Sequence, residues 1–231
     1  MYKLVFLFIL TIFSFSLALE GYVITQQIQV SSFGAGNIKK QKIYITEDAI
    51  ATVDDGGKVV QLVENGKFRI FRYDKATGKY VEMTKMIPMV FAALPFFTCT
   101  PAGCELRKNV FQPTDEYRKF GKYRARKVLT TVSMFGIASN IANWYTKDYK
   151  ELVEAEKLRA KFLIKAVKAV KNSGAMGVFN VDTNQLKKLF DEVINNYGGL
   201  IASESNLMGG KSFMRVISVE KKNIDPSFFK K

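Results

Sequence analysis

The sequence predicts an α+β fold, an antiparallel, strongly curved β-sheet covered by two or three helices. Three observations predict it. Residues 21–83 hold six short β-rich runs divided by turn residues. Two amphipathic stretches of helical period follow between Thr146 and Tyr197, and strand-like runs return at the end. That order, a meander first and helices late, suits a sheet that curls and carries its helices on one face.

The chain opens with Met1, Tyr2 and Lys3, then an uncharged run from Leu4 to Leu19 ending in Ser16-Leu17-Ala18 before Glu20. A short positive start, an apolar centre and small residues at −3 and −1 mark a secretory signal peptide cut after Ala18. The alternative is a retained anchor, but the run is shorter than the ~20 residues a bilayer needs and contains Thr11, Ser14 and Ser16. The expected organisation is a leader over 1–18 and one domain over 19–231, exported to the periplasm and monomeric.

The meander strands are expected at Tyr22–Val30, Lys42–Thr46, Ala49–Val53, Lys58–Val63, Phe68–Tyr73 and Lys79–Met83. Turn chemistry separates them, clearest in Asn65-Gly66, where both residues tolerate positive φ. Next, Met86 to Phe97 carries no charge and has prolines at 88 and 95. It reads as a buried lid helix or a flap. Pro113-Thr114-Asp115 leads into a strand over Gly121–Val132, and another ends near Trp144-Tyr145.

Thr146 is the expected N-cap of the first long helix. Its apolar stripe is Tyr149, Leu152, Ala155, Phe162, Leu163, Ala166, Val167 and Val170, with a gap over Glu156-Lys157-Leu158-Arg159. Acids gather at its start and lysines at its end, as the helix dipole favours. Asp182 is the N-cap of the next helix, with Gln185 three residues on, and Gly198 ends it. Strands then close the chain at Leu200–Ser203 and Phe213–Val219.

Composition restricts the chemistry. The 231 residues contain no histidine, which removes Ser-His-Asp and Cys-His nucleophile systems and histidine-bound metals. No enzyme activity and no cofactor are expected. The formal charge is +14, and a basic surface attracts nucleic acid, anionic lipid or acidic glycans. Export places nucleic acid last, leaving an anionic membrane surface as a partner for the basic stretch Arg107–Lys127, or simple solubility. Cys99 and Cys104, the two cysteines, read as a disulfide in an oxidising compartment.

Two motifs carry weaker chemistry. Ser205 to Ser212 ends like a phosphate loop, but serine stands where its first glycine belongs and a strand is expected afterwards. Met83, Met86 and Met89 are soft donors suited to Cu(I), although methionine also serves as adaptable packing, and no metal site is assigned.

The order of Lys42-Ile43-Tyr44-Ile45-Thr46-Glu47-Asp48, Val59-Val60-Gln61-Leu62, Lys79-Tyr80-Val81-Glu82-Met83, Trp144-Tyr145-Thr146-Lys147-Asp148 and Ile224-Asp225-Pro226-Ser227-Phe228-Phe229 resembles an uncharacterised exported family. That family is related to the periplasmic lipoprotein-carrier (LolA and LolB-like) superfamily. The resemblance implies a half-open antiparallel barrel covered by helices around an apolar cavity, and no functional residue is carried over from it.

The leading expectation is a binding or carrier protein for a lipid, an acyl group or a lipidated protein. Met86, Met89, Phe91, Leu94, Phe96 and Phe97 are its expected lid or lining. An envelope interaction module with a self-filled core is the second class, and an enzyme without histidine the third. A cavity of a few hundred Å3 separates the first class from the second.

Overall fold

In the computed structural model the described residues are 18–230, except 33–34, 93, 101–102, 108, 135–136, 174–180 and 208–209. The expected leader, ahead of Ala18, lies outside them. Among the described residues no helix is long and apolar enough to cross a membrane.

The first half is a six-strand meander: β1 (Leu19–Ser32), β2 (Ala35–Ile45), β3 (Ala49–Asp54), β4 (Gly57–Glu64), β5 (Lys67–Asp74) and β6 (Lys79–Glu82). Its turns follow local chemistry. Asn65 and Gly66 take φ of 50° and 71°, which turns β4 tightly into β5. Asp54 accepts hydrogen bonds from the amides of Gly56 and Gly57 at 2.7 and 3.0 Å, fixing the preceding hairpin.

A 3-10 turn (Thr84–Met86) leads into the short helix α1 (Ile87–Ala92) and a small hairpin of β7 (Phe97–Thr100) and β8 (Gly103–Leu106). The expected lid is thus one six-residue helix followed by an irregular arm. Pro88 sits in the helix's first turn, where its missing N–H has no partner to lose. Three long strands follow: β9 (Phe111–Phe120), β10 (Tyr123–Met134) and β11 (Ile137–Thr146).

Helices α2 (Lys150–Ser173) and α3 (Thr183–Tyr197) come next, then β12 (Gly199–Leu207), β13 (Gly210–Ile224) and a 3-10 turn (Pro226–Phe229). Thr146 does not cap α2 as the sequence suggested. It ends β11, and its hydroxyl accepts the Asp148 amide at 3.1 Å, so the chain turns for three residues before the helix starts. Asp182 does cap α3, accepting the Asn184 amide at 2.8 Å.

Eleven strands form one antiparallel sheet, curved but unclosed, in the order β6-β5-β4-β3-β2-β1-β13-β12-β11-β10-β9. This α+β half-open barrel is the expected fold class. Strand β13 lies between β1 and β12 and joins the two meanders. Successive residues of a strand face opposite sides, so Ile24 enters the main core under the helices while Val23 joins a second cluster on the outer face. Phe229 covers that outer cluster, and Phe228 packs on Tyr44 at 4.3 Å.

Helix α2 buries Leu152, Ala155, Phe162, Ala166, Val167 and Val170 against the sheet. Burying this many side chains at about 25 cal/mol per Å2 of apolar area is what holds the helix down. At its first turn the Tyr149 hydroxyl accepts the Val219 amide at 2.7 Å. This matters because the β12–β13 ladder starts at Ala202 opposite Arg215, leaving later β13 amides on that side to find other partners.

Candidate functional site

The main core does not fill the space beneath α2 and α3 completely. A partly enclosed cavity of about 310 Å3 remains between these helices and strands β9 to β12. Its floor is Phe111, Thr130, Ile141, Asn143 and Ser203. Its roof is Glu156, Arg159, Ala160 and Leu163 from α2 with Phe190, Val193 and Ile194 from α3. Leu94, Pro95 and Phe96 form one wall, and Tyr145, Gly198 and Leu200 form the other end. Such a volume lies at the small end of ligand sites, and the mix of mostly apolar walls with a few polar groups is their usual composition.

The arm carrying Leu94 to Phe96 is held at several points. Phe97 donates its amide to the Leu94 carbonyl at 3.2 Å, and Arg107 donates its amide to the Phe96 carbonyl at 2.9 Å. The Arg107 guanidinium also donates to the Thr131 carbonyl and to Thr98 Oγ1. Phe96 then meets Phe190 of α3 edge-to-face at 5.2 Å, which closes the wall against the roof.

A few polar groups give the cavity its chemistry. Asn143 Nδ2 donates to Thr130 Oγ1 at 2.9 Å on the floor, both side chains buried. In the roof, Arg159 donates to Glu156 Oε1 at 3.1 Å, with the side chains 25% and 16% exposed. Burial pushes the Glu156 carboxyl up from its ordinary value, and the Arg159 charge opposes this. Burial also raises the Tyr145 hydroxyl, helped by the Glu156 charge.

The expected lining residues fall in different places. Leu94 and Phe96 line the cavity. Phe91 and Phe97 lie deeper, each 2% exposed, in an aromatic chain that reaches Phe68 and Phe162. Met86 is 37% exposed and, with Met83 and Val90, borders a separate polar depression over β2 to β5. The Met89 side chain lies outside what is described. Among the described residues, no group of three or more His, Cys, Asp or Glu is placed to hold a metal.

Cys99 and Cys104 face each other as a direct cross-strand pair of the β7–β8 hairpin, while the Cys99 side chain also lies outside the described set. Part of the basic stretch Arg107–Lys127 is engaged at home. Arg118 pairs with Glu204 and stacks over Trp144 at 4.5 Å, Arg126 donates to the Thr114 carbonyl, and Lys127 pairs with Glu116.

The Glu156–Arg159 pair was not singled out from the sequence. Its signal was the gap in the α2 stripe: steps of four, three and four from Leu152 pass through Glu156, Arg159 and Leu163. These two charges stand on the inner face itself, where an apolar residue is the default.

No family model matches the chain. An uncharacterised protein of Aquifex aeolicus (strain VF5) is 32% identical over 226 residues, covering 98% of this chain and 85% of that protein. The chain belongs to the family of that protein. Among solved structures the chain is similar to a LolA superfamily protein of Nitrosomonas europaea, with 4% identity, a TM-score of 0.35, and 91% of this chain and 90% of that one covered. It is similar also to a DUF1329 family protein of Desulfovibrio piger, with 8% identity, a TM-score of 0.40, and 96% and 93% covered. PNGF-II matches with 16% identity and a TM-score of 0.40 over 91% of this chain, which spans 30% of PNGF-II.

Proposed function

We propose that this is an exported, non-enzymatic binding or carrier protein that holds the apolar part of a lipid, an acyl group or a lipidated protein. The cavity of about 310 Å3 under α2 and α3 carries this reading. A module filled by its own side chains has no need of such a space, and an unfilled apolar cavity costs stability in proportion to its size. The leader-like pattern ending in Ser16-Leu17-Ala18 and the paired positions of Cys99 and Cys104 support export to the periplasm and a disulfide between them.

The test uses residues 19–231, delipidated and titrated with a fluorescent fatty acid. Uptake at micromolar levels is expected. Ala160→Phe puts a ring into the cavity and excludes roughly three methylenes. At about 0.8 kcal/mol each, this weakens binding on the order of fifty-fold. Absence of uptake by the wild-type protein, or equal uptake by a folded Ala160→Phe variant, would reject the reading.

A further inference from the structure

We infer that the cavity selects a single-chain amphiphile with an anionic head, which the Arg159 guanidinium takes up in place of the Glu156 carboxylate. This rests on the binding reading above and adds the chemistry of the head group.

The observation is an ion pair in the wrong place for a surface pair. On the outer face of a helix, a Glu and Arg three residues apart are solvated and worth little. Glu156 and Arg159 instead line the roof beside Ala160 and Leu163, opposite the Thr130–Asn143 hydrogen bond. Both partners lose hydration there. A half-desolvated charge left without a partner is costly, so a ligand head group that separates the pair has to take the place of one side of it.

The two sides are not equivalent. A guanidinium stays charged at every working pH, whereas a carboxylate can take a proton, and burial already favours the neutral form of Glu156. The replacement therefore runs one way. Glu156 accepts a proton from solvent, Arg159 is released, and the anion of the ligand accepts the guanidinium's paired N–H donors. Total charge in the cavity is unchanged by the swap.

A cationic head would have to sit beside Arg159 in a region of low dielectric, where like charges repel strongly. Among the described residues lining the cavity, the other titratable group is Tyr145 on β11. The α3 residues Phe190, Val193 and Ile194, and the arm from Leu94 to Phe96, bring no charge to the cavity. A volume of about 310 Å3 equals about ten waters at roughly 30 Å3 each, room for one acyl chain of moderate length.

The experiment is calorimetric titration of delipidated residues 19–231 with dodecanoic acid, dodecyl phosphate, dodecanol and dodecyltrimethylammonium. At least one anion is expected to bind about tenfold or more tighter than dodecanol, as a charge-assisted hydrogen bond implies. Whichever anion wins names the source of the head. Buffers of different ionisation heat should report proton uptake that Glu156→Gln removes. Arg159→Gln should lose the preference for the anion, binding dodecanoic acid and dodecyl phosphate no tighter than dodecanol.

Equal binding of anions and alcohol, or a preference for the ammonium head, overturns the head-group assignment and leaves the cavity reading standing. Failure of all four ligands overturns both. The wild-type comparison decides even where a variant does not fold.

Discussion

Gly198 offers the sharpest test of how the cavity end is built. It closes α3, its amide donating to the Ile194 carbonyl at 2.9 Å, with φ of 90° and ψ of −143°. Gly198→Ala would place a Cβ in overlap with the Thr146 carbonyl oxygen, 2.5 Å from its carbon and 2.8 Å from Lys147 N. All of these are backbone atoms of the turn between β11 and α2, so no side chain can swing aside. The left-handed φ alone costs about 1–3 kcal/mol, and separating two packed backbones adds to it, for a total of about 4 kcal/mol or more.

The control is Gly121→Ala. Its φ is also positive, at 61°, but nothing lies within 4 Å of the added atom, so about 1 kcal/mol is expected. Urea denaturation followed by Trp144 fluorescence separates the two. With a slope of about 2 kcal/mol per M, Gly198→Ala should lower the midpoint by about 2 M and Gly121→Ala by about 0.5 M. Similar midpoints for the two variants would refute the claim that backbone contact, and not φ, dominates at Gly198.

Other perturbations follow from the same contacts. Tyr149→Phe keeps the ring stacked on Tyr123 at 4.4 Å but strips the Val219 amide of its acceptor, and should cost about 1–2 kcal/mol in urea denaturation; an unchanged midpoint would show that water replaces the hydroxyl fully. Glu156 binds its proton more readily folded than unfolded, so the wild type loses stability as pH rises from the ordinary carboxylate range through the raised folded value. Glu156→Gln lacks this loss, and its stability relative to wild type should rise as pH climbs out of the ordinary carboxylate range; a flat difference would place the carboxyl in water. Reducing the proposed Cys99–Cys104 bridge should lower stability on the order of 2 kcal/mol, read by thermal melting with and without reductant, and no effect would mean that the thiols are not joined.

What could be read in the sequence depended on whether a residue's role was local. Asn65-Gly66 defines its turn by its own φ preferences, and Asp182 caps α3 through an amide two residues on, so both were visible. Strand β9 was missed because its role is positional. Pro113, Asp115 and Glu116 contradict a strand pattern, yet an edge strand tolerates proline and exposes both faces to water. Strand β13 runs five residues past the expected Val219, since Glu220 to Asn223 are exposed and show no apolar alternation. The cavity itself was legible only as a fold expectation. Its floor residues Thr130, Asn143 and Ser203 are ordinary polar strand residues until the helices lie over them. Glu156 and Arg159 looked like an interruption because nothing in a one-dimensional stripe distinguishes a break from an inward-facing pair.

Strand β13 sits at the seam of the sheet, with Leu19 opposite Ile224 along one side of it and Ala202 opposite Arg215 along the other. The order of synthesis therefore opposes early folding. The first meander can zip locally as it emerges, but the β1 edge stays open, and the second meander has nothing to dock on, until the last twenty or so residues exist. The hydrogen bonds of β13 to both of its neighbours are therefore among the last that synthesis makes available. Loss of even the final strand would leave two unjoined half-sheets with bare edges, a product suited to degradation more than to binding anything.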